Sequence, residues 1–172
     1  LILQYVTEHQ TVSGAQGDNR QALTLNYLWT YRNVDSLISP SNGYLFRTEI
    51  GGASESLLSD QSFIRSRSHA VYYYPITKYD SLTLRGELGI VLAKSANGIP
   101  SDMLFRTGGD LTVRGYSYQS LGVAAGNALV GCRYMVTVSI EYTHGLPPTW
   151  SVASFFDRGY ATDTPQSFRT AA

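Results

Sequence analysis

The sequence has little of what soluble catalytic or nucleic-acid-binding domains are built from. Its single cysteine, Cys132, has no partner for an internal disulfide, and no Cys/His spacing suits zinc, so neither a metal nor another cofactor is expected. Cys132 is expected to be an ordinary wall residue. Only 15% of the residues are charged, against about 25% in ordinary soluble proteins. The formal net charge is zero, which argues against a nucleic-acid partner, since that would need a basic patch. No block of like charge marks an acidic or basic tail. No apolar run approaches the ~18 residues of a membrane helix, although barrel strands cross a bilayer with only about 9–11 alternating residues. Leu1 is not an initiator methionine and no charged-then-apolar leader precedes it, so the chain is expected to be an internal part of something longer.

What the sequence has in abundance is period-two alternation. Leu23, Leu25, Tyr27, Trp29 and Tyr31 alternate with Thr24, Asn26, Leu28, Thr30 and Arg32, a spacing that puts five large groups on one face of a strand and would scatter them around a helix. Strands are expected over about 1–12, 23–32, 44–51, 62–74, 81–93, 132–142 and 150–160. The sixth is the cleanest, with Tyr134, Val136, Val138, Ile140 and Tyr142 set against Arg133, Met135, Thr137, Ser139 and Glu141. Turn signals rich in Gly, Asn, Asp or Pro fall at 13–20, 39–43, 75–79 and 145–149. After residue 160 the chain runs out in polar residues.

The connections alternate in length. Those near 76–80 and 145–149 are short and that at 33–43 is intermediate. The one at about 94–131 is very long, with polar loops at 13–20 and 52–61 on its side. Short turns at one end and long loops at the other are the outer-membrane barrel pattern. A soluble sandwich also alternates, but its strands usually run about 5–6 residues. The faces opposite the apolar ones carry Arg32, Arg47, Glu49, Arg65, Arg67, Arg85, Glu87, Arg133 and Glu141, which a dry core would not tolerate and a wet lumen would. The expected class is all-β: an antiparallel transmembrane barrel wall of about seven strands with one long connecting loop. Residues 1–172 form one partial barrel domain. Seven is an odd number where bacterial single-chain barrels are even, and an open seven-stranded sheet would leave both edges unpaired, which is not viable in lipid.

One stretch stands apart from the alternation. Phe105 to Tyr116 reads FRTGGDLTVRGY, with Arg114 between Val113 and Gly115 and five residues after the Gly108–Gly109 pair. The stretch resembles the sixth extracellular loop of the outer-membrane assembly and translocation barrels, the superfamily of BamA, TamA and the two-partner secretion transporters. There a VRGF or VRGY tetrad, preceded by aromatic-x-x-Gly-Gly, sits at the tip of a loop folded into the lumen. Phe155-Phe156-Asp157-Arg158-Gly159 is similar to that family's F-x-D-x-G strand motif. Family barrels have sixteen strands, so the resemblance implies that this chain matches strands seven to thirteen and lacks the periplasmic domains, early strands and closing strands. Within the superfamily, the tyrosine of VRGY and the phrasing FRTGGDLTVRGYSYQSLG are most similar to the TamA branch.

The resemblance implies that the long loop is inserted into the lumen and that Arg114 pins it to lumen carboxylates, with Glu141 and Asp157 as acceptors; a solvated loop arginine is the plain alternative. A guanidinium offers carboxylates a rigid fork that lysine lacks. Gly115 is expected to let the backbone approach the wall, and Tyr116 to stack on it. The implied function is assembly of outer-membrane proteins such as autotransporters. The implied partners are the outer-membrane bilayer, unfolded client barrels and a TamB-like periplasm-spanning protein. A secretion pore for soluble exoproteins, a general BamA-type insertase, and a passive porin or adhesin barrel are the alternatives. No GxxxxGK[ST] loop or G-x-S-x-G elbow is present, and His9, His69 and His144 are isolated in the sequence, so no enzyme is expected.

Overall fold

The computed structural model describes residues 1–10, 18–125 and 128–164. In chain order the strands are β1 (Ile2–Gln10), β2 (Asp18–Val34), β3 (Gly43–Ala53), β4 (Phe63–Pro75), β5 (Asp80–Ala93), β6 (Val123–Ala125), β7 (Ala128–Val130), β8 (Tyr134–Leu146) and β9 (Trp150–Thr162). Seven of them form one antiparallel sheet in the order β1-β2-β3-β4-β5-β8-β9, and β6 and β7 pair separately within the long connection between β5 and β8. The sheet is open, with β1 and β9 as its edges. Among the described residues no helix is long and apolar enough to cross a membrane, which says nothing of strands.

The alternation turns the sheet inside out relative to a soluble one. Leu25, Tyr27 and Trp29 are exposed on one face, whereas Thr24 and Asn26 on the other face are buried. The same holds across the sheet, with Ile64, Leu88, Ile140 and Phe156 exposed and Arg65, Glu87, Thr137 and Ser139 buried. Aromatic rings cluster on the outer face, where Trp29 lies 5.7 Å from Phe46 and Tyr31 lies 5.6 Å from Tyr44, centroid to centroid. An exposed apolar face beside a buried polar one fits a wall whose outside meets hydrocarbon.

Because neighbouring strands are in register, inner-face residues line up in rows. One row runs Thr30–Arg47–His69–Glu87–Thr137–Gly159, and the next runs Leu45–Val71–Arg85–Ser139–Asp157. The apolar core is small and lies where the long connection packs onto the inner face. It comprises Ala22, Phe63, Val91, Ile99, Met103, Leu104, Phe105, Cys132 and Met135. Val91 and Ile99 are fully buried, and each contributes about 1.5–3 kcal/mol by leaving water.

Several expected boundaries shift. Asp18 to Arg20 belong to β2 rather than to a turn, so β1 and β2 extend together past the end of β3. There the free side of β2 is capped by the 54–62 loop, as the Leu23 amide donates to Ser59 Oγ at 2.9 Å and the Gln21 amide to Asp60 Oδ2 at 2.7 Å. Cys132 does not start a long strand, because its amide and carbonyl exchange hydrogen bonds with Phe105, both at 2.8 Å. β8 starts only at Tyr134 and runs on to Leu146, leaving 147–149 as the turn. The expected strand end at 11–12, turn at 13–17 and polar tail from 165 lie outside the described residues.

Candidate functional site

The connection between β5 and β8 crosses the inner face from one margin of the sheet to the other. From the end of β5 it reaches the β1–β2 hairpin, where the Ser101 amide and hydroxyl donate to Glu8 at 2.6 and 2.8 Å. It then turns back. Arg65 on β4 donates through Nε to the Met103 carbonyl at 3.2 Å, and its guanidinium carbon stands 4.8 Å from the centre of the Phe105 ring. The Phe105 ring packs against Gly89 of β5, where a Cβ would come within 2.8 Å of the ring. The glycine is what lets the ring reach the wall.

Beyond Phe105 the chain folds on itself. Thr107 pairs with Leu121, and the Gly109 amide donates to the Val113 carbonyl at 3.2 Å. Gly108 and Gly109 have φ of 107° and 102°, and Gly115 has 89°, values that β-carbon-bearing residues avoid. The glycines of the motif thus close a tight turn whose apex presents Val113 and Arg114 to β8 and β9.

Val113 is buried and fills the space above Gly159, where a Cβ would overlap its Cγ2 methyl. Arg114 meets Asp157 three times. Its amide donates to Oδ2 at 2.9 Å, Nε donates to Oδ2 at 2.8 Å, and Nη2 donates to Oδ1 at 2.9 Å. Nη1 donates to Glu141, Nη2 also reaches Ser139 Oγ at 3.0 Å, and the guanidinium carbon sits 3.6 Å from the Phe155 ring centre. These hydrogen bonds, that to Asp157 foremost, hold the guanidinium above its ordinary pKa against the opposing effect of burial. All three fixed letters of F-x-D-x-G therefore face the loop: Phe155 stacks, Asp157 accepts and Gly159 makes room.

Two residues behave differently from the expectation. Gly115 has no atom within 4 Å of a notional Cβ, so its positive φ, rather than close approach, is what demands glycine. Tyr116 is 55% exposed, and the ring against the arginine is Phe155. Phe155, Gly159, Ser139 and Gly89 carried no individual expectation. The first two were visible only as motif letters, and the others depend on cross-strand register.

The other singled-out residues fall elsewhere. Cys132 is fully buried, its thiol donates to the Phe105 carbonyl at 3.1 Å, and burial pushes its pKa up to about 11. His144 is not isolated in space, since Nδ1 lies 2.6 Å from Asp80. His69 lines an inner-face cavity of about 850 Å³ together with Arg47, Arg67, Arg85, Glu87 and Glu141. Among the described residues no group of three or more His, Cys, Asp or Glu could hold a metal. Both oxygens of Asp157 accept from Arg114, so the arrangement fastens a loop to a wall.

The model of the Omp85 superfamily domain matches residues 3–172. Among solved structures, the chain is similar to BamA from Haemophilus ducreyi lacking POTRA domains 1–3, at 17% identity and a TM-score of 0.76. That match covers 94% of this chain and 34% of the BamA chain, so the chain spans about a third of the structure it matches and corresponds to an arc of its barrel. With the domain match running over nearly the whole length, the chain belongs to the Omp85 superfamily.

Proposed function

We propose that this chain is the loop-bearing wall of an outer-membrane barrel that inserts other outer-membrane proteins, with Arg114 as the pin that keeps the long loop on the inner wall. The single observation that carries the reading is the set of hydrogen bonds from Arg114 to Asp157, Glu141 and Ser139. Charge-assisted bonds between a planar fork and a carboxylate fix orientation as well as position. The wall adds the solvent logic, with apolar residues outside for lipid and a charged inner face for water.

On this reading the protein sits in the outer membrane and its partners are the bilayer and unfolded client barrels. The work is steric and electrostatic rather than covalent: the pinned loop holds the inner wall in one arrangement while client strands are handled elsewhere on the barrel. The finer proposal is a TamA-type factor serving clients such as autotransporters, with a TamB-like partner in the periplasm. It rests on the VRGY tyrosine, Tyr116, and on the phrasing around it. The second reading, a secretion pore for soluble exoproteins, uses the same wall and loop.

The test uses the full-length protein in liposomes, with an unfolded autotransporter barrel and a soluble exoprotein offered separately. Faster folding of the barrel client than in empty liposomes supports the insertase. Entry of the exoprotein into the vesicles without such acceleration assigns the secretion pore instead.

A further inference from the structure

We propose that Glu8 is a second anchor of the long loop, so that the loop is a strap fastened at both margins of the wall and not a tongue held only at its tip. The functional consequence rests on the insertase reading above; the anchor itself rests on geometry.

Glu8 lies on the inner face of β1, on the same side as Val6, which packs against the core. Both of its carboxylate oxygens accept from a single loop residue, Ser101, which is 93 positions away in sequence. Directly across on β2, Arg20 donates to the Ile99 carbonyl at 3.4 Å. Ile99 and Pro100 between these contacts are fully buried. The loop is thus seated over β1 and β2 by a wall carboxylate that accepts from it and a wall guanidinium that donates to it, and over β8 and β9 by wall carboxylates that accept from the loop arginine. Arg65, donating to Met103, supports it midway.

The two anchors are coupled by chain entropy. With residue 101 fixed, the stretch that must close to bring Arg114 to Asp157 runs from 101 rather than from the end of β5, and a shorter stretch loses less freedom on closing. Glu8 therefore acts through another residue: it is a positioning residue that raises the docked fraction of Arg114. A carboxylate taking a backbone N–H and a hydroxyl is a charge-assisted acceptor, stronger than a neutral one.

The test places a nitroxide at Asn97→Cys, on the entry limb, or at Leu111→Cys, near the tip, in the full-length protein in liposomes. Cys132, buried with a raised thiol pKa, does not compete for label. Glu8→Ala is expected to raise the mobile fraction at 97 by about tenfold or more, the size of one lost charged hydrogen-bonding group, and that at 111 by about twofold, the loop-closure difference between a stretch of about 21 residues and one of about 13. Glu8→Gln, which retains a carbonyl acceptor, is expected to fall between Glu8→Ala and the parent, and it carries the test if Glu8→Ala does not fold. Labels at both positions as immobile in Glu8→Ala and Glu8→Gln as in the parent overturn the second anchor. Asp157→Asn reports separately on the tip: if it leaves the label at 111 immobile, the pin underlying the functional reading fails, while the label at 97 still decides Glu8.

Discussion

Arg114 and Asp157 are joined by three hydrogen bonds, one from the loop backbone and two from the guanidinium fork, and the Asp157 side chain is only 3% exposed. Lysine can supply a charge here but neither the fork nor the stacking surface that Phe155 covers. Arg114→Lys is therefore expected to behave nearly as badly as Arg114→Ala. Both should lose about 2–3 kcal/mol, somewhat under the cost of breaking a dry buried pair because the inner face is wet. The measurement is the temperature at which heated samples lose folded gel mobility. Full retention of stability by Arg114→Lys would show that charge alone suffices.

Gly159 is expected to tolerate no side chain. Gly159→Val places its methyls where Val113 packs and should cost about 1–3 kcal/mol through overpacking. It should also raise protease cleavage within 105–116 in the folded barrel. Pairing it with Val113→Ala should recover part of the loss, and failure to recover would remove the proposed contact.

Phe105 over Gly89 is a separate foothold. Phe105→Ala should cost about 3 kcal/mol, at the low end for a core phenylalanine because the cavity opens towards the wet inner face. Gly89→Leu, which meets the ring at its Cβ, should dislodge the loop at Phe105 while leaving the Arg114 pairing to be tested on its own. Unchanged protection of the 103–107 amides from hydrogen exchange in either variant would contradict this.

Much of this wall was legible in the sequence, because lipid on one side and water on the other force alternation. Tyr134 to Tyr142 gave its strand and both faces without ambiguity, and the parity that set Thr137 and Ser139 inward also set Glu141 beside them. The strand ends were less legible. Asn19 and Arg20 extend β2 beyond β3, where the turn-forming letters outweighed a pairing that depends on β1. Cys132 and Arg133 continue the alternation of β8, yet Cys132 pairs with Phe105, a choice made by the loop and invisible to periodicity. The contacts of Glu8 with Ser101 and of Phe105 with Gly89 join distant segments and have no local signal. Tyr116 was expected to stack on the wall, but it is half exposed and the ring that covers Arg114 is Phe155.

The turn between β2 and β3 gives a pH prediction. Asp35 accepts from the Ser41 amide at 2.9 Å, the Asn42 amide at 3.1 Å and the Ser41 hydroxyl at 2.5 Å. The Ser41 hydroxyl and the two amides hold its pKa down at about 2. A depressed carboxyl stabilises the fold above its ordinary pKa of about 3.8, and that stabilisation is lost as pH falls towards 2. Protease access at Leu37–Ile38, both exposed, should therefore rise between pH 4 and about 2 in the parent. In Asp35→Asn it should be high and flat. A flat profile in the parent would contradict the role given to Asp35.

The most direct test of the central claim is the folding rate of an unfolded client barrel on liposomes carrying the parent, Arg114→Ala, Asp157→Asn or the double variant, each first confirmed as folded and inserted. Arg114 and Asp157 acting as one unit predicts that each single variant slows the client and that the double variant is no slower than the worse single one. Client folding at the parent rate in all three variants would contradict the account, leaving the pairing as a feature of the fold with no part in assembly.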